Sequence, residues 1–86
     1  MASQEAIVRA QTVKAKYERD LMRKRNVVGV GVGFREQGGQ ITNQVCIVVS
    51  VRKKLPLPQL SPKDAIPSEL DGVPVDVKVT GAFHAL

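Results

Sequence analysis

The sequence predicts an α+β domain, with an N-terminal helix packed on a small three-stranded antiparallel or mixed sheet in the order α, β, β, irregular, β. Three observations predict it. Apolar residues recur at helical spacing from Glu5 to about Lys24. The stretch Asn26–Glu36, NVVGVGVGFRE, alternates Val28, Val30, Val32 and Phe34 with Gly29, Gly31 and Gly33. Val73, Val75, Val77 and Val79 alternate with Pro74, Asp76, Lys78 and Thr80. With 86 residues the chain makes one small domain with one core, and with no Trp, one Tyr and two Phe that core is aliphatic.

The helix comes first. Ser3 is a natural N-cap, and Glu5 in the first turn suits the helix dipole. Ala6, Ala10, Val13, Tyr17 and Leu21 form one stripe, widened by Ile7 and Met22. Glu5 and Arg9 stand at i,i+4, an acid-then-base pair. Arg23, Lys24 and Arg25 close the last turn, and Asn26 is a helix stop. Between residues 5 and 25 seven basic residues meet three acidic ones, so most of the chain's net charge of +5 belongs to this segment.

The hairpin follows over residues 26–52. Gln37-Gly38-Gly39-Gln40 fits a two-residue turn of type I′, which needs positive φ twice. The second strand, about Ile41 to Arg52, holds Val45, Cys46, Ile47, Val48, Val49 and Val51, and being apolar on both faces it is central. With Gly38 and Gly39 as the loop, Val28 faces Val49, Val30 faces Ile47 and Val32 faces Val45. The glycines then face Val48, Cys46 and Gln44 on the other side. One face of the first strand is an apolar ridge and the other is nearly bare backbone.

Residues 53–72 form a proline-rich connection with one helical turn expected at Ser61-Pro62-Lys63-Asp64, tied down by Leu55, Leu57, Leu60, Ile66 and Leu70. After an Asp71-Gly72 turn, residues 73–80 read as a half-buried strand that Pro74 assigns to a sheet edge. Residues 81–86 are a tail in which Phe83 can pack back.

Several chemistries are argued against. The glycines lack the G-x-G-x-x-G spacing and lie within a strand, so no nucleotide cofactor is expected. One His and one Cys cannot supply a metal site. His84 with Ser50 or Cys46 lacks the third group of a catalytic set, and the expectation is a non-enzymatic protein. Cys46, alone in an apolar run, reads as a buried reduced thiol. Met1–Arg25 has no apolar leader core and no long apolar run occurs, so a cytoplasmic protein without a membrane span is expected.

What remains is interaction. Glycine on a strand allows close approach of another backbone. An assembly surface is therefore expected at Gly29, Gly31, Gly33, Cys46 and Val48, with Val73 and Val75 on the uncapped edge strand, and the partner expected is a second copy. Arg9, Lys16, Arg19 and Arg23 form a basic helix face. It could meet nucleic acid or another anionic surface, but the scarcity of stacking aromatics argues for a solvated face instead.

NVVGVGVGFRE together with VRKKLPLPQLSPKDAIPSELDGVPVDV resembles a short module that precedes trypsin-like serine peptidase domains, in bacterial proteins and in relatives of the plant narrow-leaf protein. The resemblance covers about Asn26 to Gly81. It implies an accessory module without proteolytic residues of its own, which could assemble with itself or bind, chaperone or inhibit a separately encoded peptidase.

Overall fold

The computed structural model describes residues 3–53 and 65–79. The chain runs α1 (Gln4–Met22), β1 (Val27–Gln37), β2 (Gln40–Val51), β3 (Glu69–Leu70) and β4 (Val73–Val79). The sheet has four strands in the order β1-β2-β4-β3, one more than expected. β1 and β2 are antiparallel, β2 and β4 parallel, and β3 and β4 antiparallel. β2 is central, as its two apolar faces predict.

The helix forms where the periodicity puts it. Ser3 caps it, accepting the Ala6 N–H at 3.1 Å. Ala10, Val13 and Leu21 are buried, and Ala6, Ile7 and Tyr17 pack beside them. This stripe lies on the valine face of the chain's own sheet, against Val45, Ile47, Val49, Val51 and Val73. Ala10 and Ile47 are fully buried, and burying a side chain such as Ile47 contributes about 1.5–3 kcal/mol. Ile66 and Leu70 pack onto the same core. The expected helical turn at Ser61–Asp64, the leucines at 55, 57 and 60, Phe83 and His84 lie outside the described residues.

Two tight turns have the expected form. Gly38 and Gly39 have φ of 59° and 79°, and Asp71 and Gly72 have φ of 49° and 83°. Asn26 is left-handed, at φ 76°. Its side chain pairs with the Lys53 peptide, donating from Nδ2 to the carbonyl and accepting the N–H at Oδ1, 3.1 Å away. It thus ends the α1 segment and adds a rung to the β1–β2 ladder.

The register departs from expectation. Next to the turn, Gln37 faces Gln40 and Glu36 faces Ile41, as a two-residue loop demands. Beyond Glu36 the pairing slips by two residues: Phe34 faces Val45, Val32 faces Ile47 and Val30 faces Val49. A bulge at Thr42–Gln44 causes this. The Thr42 hydroxyl donates to Arg35 O at 2.7 Å and accepts the Gln44 N–H at 3.2 Å, replacing a backbone rung. A shift of two preserves both faces, so the glycines still share one face but oppose Ser50, Val48 and Cys46. A second irregularity falls at Val28.

β4 is an edge strand over only part of its length. β3 pairs with its first two residues, and the Val75 N–H donates to Ser68 O at 3.0 Å. Pro74 is tolerated because the β2–β4 ladder begins one residue later, at Val75.

Candidate functional site

The face opposite the helix is the chemically distinctive surface. The aligned strands place Gly29, Ser50 and Lys78 in one row across it and Gly31, Val48 and Asp76 in the next. Gly33 and Cys46 follow. The end of β1 then crosses above this face. The Glu36 N–H donates to Asp76 Oδ2 at 3.0 Å, and Lys78 Nζ lies 3.8 Å from Glu36 Oε2. These contacts join β1 to β4, which are not neighbours in the sheet, so the hairpin curls inward and makes the glycine face concave.

The glycines have different surroundings. A Cβ on Gly33 would stand 3.1 Å from Val48 Cγ2, so Gly33 permits close packing of the chain on itself. A Cβ on Gly31 would meet nothing within 4 Å, and one on Gly29 would make ordinary contact with Ser50. The chain's own hairpin therefore covers one end of the face, and the Gly31 end is open.

Cys46 is fully buried in this face. Burial, reinforced by the Asp76 charge, pushes its thiol pKa up. That is the reverse of what activates a nucleophile. Val48 is half-buried on the same face. Val73 and Val75 are not on it: Val73 is core, and Val75 packs against the core on the helix side. Asp76 is half-buried and accepts a backbone N–H.

The basic helix face is divided. Arg9 Nη2 donates to Asp71 O at 2.8 Å. Lys16 Nζ reaches Asp71 Oδ2 at 3.1 Å, and the Tyr17 hydroxyl donates to Asp71 Oδ1 at 2.9 Å. Asp71, at the tip of the β3–β4 turn, thereby anchors the helix. The Lys16 hydrogen bond, then that of Tyr17, holds the Asp71 carboxyl below its ordinary pKa, and the same contact raises that of Lys16. Arg19 and Arg23, at the helix end, are exposed.

Among the described residues no group of three His, Cys, Asp or Glu could hold a metal. No helix there is long and apolar enough to cross a membrane.

Fold and surface together define a small α+β module with a concave, glycine-lined sheet face. A family model, the NARROW LEAF 1 N-terminal domain, matches residues 6–80, and the chain belongs to that family. The match extends the resemblance seen from Asn26 onward back through the helix. It is to an N-terminal domain and not to a catalytic one. No curated protein matches the chain.

Proposed function

We propose that this domain is a non-enzymatic module that self-associates through β1, using its open glycine surface and its edge. One observation carries the reading: β1 spans eleven residues and has a ladder partner on one side alone among the described residues. Its bare surface at Gly31 admits a neighbour. The burial of Cys46, which pushes its thiol pKa up, is in keeping with this reading. The test is solution mass against concentration, for the wild type and for Gly31→Val. Association that rises with concentration and weakens in the variant supports the reading, and a wild type that stays monomeric at millimolar concentration ends it.

A second reading has the same surface docking on a trypsin-like peptidase, and the family's N-terminal placement favours it. Co-purification with such a peptidase, lost in Gly31→Val, would select it. Binding to nucleic acid is the weakest reading, because Arg9 and Lys16 are engaged by Asp71.

A further inference from the structure

Folding joins two basic runs that lie a whole hairpin apart in sequence. The helix leaves through a tight turn, with the Lys24 N–H donating to Leu21 O at 3.1 Å and the Val27 N–H to Lys24 O at 3.4 Å. Asn26, within this turn, then holds the far end of β2. Its carbonyl accepts the Arg52 N–H at 2.9 Å, and its carboxamide pairs with the Lys53 peptide. Arg23–Arg25 and Arg52–Lys53 therefore stand together at one end of the domain. Residues 19–27 and 51–53 carry six cations and one acid, Asp20, a local excess as large as the whole chain's net charge of +5. Arg19, Arg23, Arg25, Arg52 and Lys53 are exposed.

The same end also shows apolar side chains to solvent. Of the six large exposed hydrophobic residues among those described, Met22, Val28 and Val79 lie here, at 45%, 38% and 49% exposure. Met22 is the last residue of α1, and Val28 follows the exit turn. Val79 ends β4 in one row with Val27 and Val51, on the helix side of the sheet.

We infer that this end docks on a bilayer surface that carries anionic phospholipid. The surface is separate from the glycine face, and it does not use Arg9 and Lys16, which Asp71 holds. Clustered cations gather anionic headgroups, and guanidinium groups pair with phosphate oxygens in a fork. Met22, Val28 and Val79 reach the boundary between headgroups and acyl chains. These apolar side chains select among polyanions. A nucleic-acid backbone would neutralise the cations but leave the apolar residues in water, and a bilayer surface takes up both.

Co-sedimentation of the whole chain with vesicles tests the inference. One set is phosphatidylcholine alone, and the other is phosphatidylcholine and phosphatidylglycerol at two to one. The chain should bind the anionic set only, and binding should fall as salt rises from about 0.1 M to about 0.5 M. At about fivefold per cation removed, R23Q/R52Q should bind about tenfold more weakly or worse. K14Q/K16Q removes the same charge elsewhere on the helix and should stay within about threefold of wild type. M22S keeps the charge and should weaken binding about threefold. Circular dichroism confirms that each variant folds. Equal binding to neutral vesicles, no binding to either set, or an equal loss in K14Q/K16Q overturns the inference. So does an unchanged M22S, or duplex DNA or polyglutamate bound as tightly as the anionic vesicles at the same salt. A chain that self-associates and ignores vesicles overturns this inference alone, and a chain that binds them but stays monomeric in solution overturns only the self-association.

Discussion

Asp76 and Glu36 stand on strands separated by β2, yet the Asp76 carboxylate accepts the Glu36 backbone N–H at 3.0 Å. This bond pins the end of the hairpin over the glycine face and over Cys46. Asp76→Ala should cost about 1 kcal/mol, the net worth of one such bond, read as a lowered melting temperature. It should also raise the rate at which Cys46 reacts with an aromatic disulfide by several-fold. Unchanged thiol reactivity would mean that the hairpin does not shield the face.

Gly31 and Gly33 share a face and a strand but should respond differently to substitution. Gly33→Ala forces a contact at 3.1 Å with Val48 and should destabilise the fold by about 1 kcal/mol or more. Gly31→Ala meets open space and should be neutral or stabilising by about 0.5 kcal/mol, because it restricts the unfolded chain. Paired denaturant titrations check the contrast.

The Asp71 anchor carries a pH signature. Its carboxyl titrates below the ordinary range in the folded chain, so its contribution is present above the unfolded pKa and is lost as pH falls through the folded one. Lys16 has a raised pKa, so its share is full below the unfolded lysine range and is lost as pH rises through the folded value. Asp71→Asn should therefore lower the melting temperature at neutral pH, and the gap to wild type should close in acid. Both groups are exposed, so salt should narrow the gap as well. Melting curves across pH and salt decide it.

Ala10 is fully buried where the helix meets the sheet. Ala10→Leu should cost about 1–3 kcal/mol by overpacking, even though leucine is a good helix former. A neutral result in thermal melts would mean that the helix does not rest on its own sheet.

Much of the fold was legible because the informative signals are local. Ser3, the helical stripe, the two positive-φ turns and the alternating strands each depend on residues close in sequence. The two-residue slip was not legible, since it depends on the Thr42 hydroxyl replacing a rung, and threonine in a strand ordinarily signals nothing of the kind. β3 escaped because two residues carry no period. Asp71 was read as a turn residue, yet Arg9, Lys16 and Tyr17 on the helix were a findable clue to an acidic anchor. The curl that brings Glu36 to Asp76 is a property of the twisted sheet, and no spacing in the chain encodes it. It also explains why the glycine face is only partly open; Val73 and Val75 lie away from it because strand alternation turns them toward the helix side.

The central claim is that β1 joins one copy to another, and the mass of the purified domain in solution tests it most directly. Measured by light scattering or sedimentation from micromolar to millimolar concentration, the mass should rise from one chain of 9.3 kDa toward twice that value. A mass that stays at a single chain throughout would contradict the account.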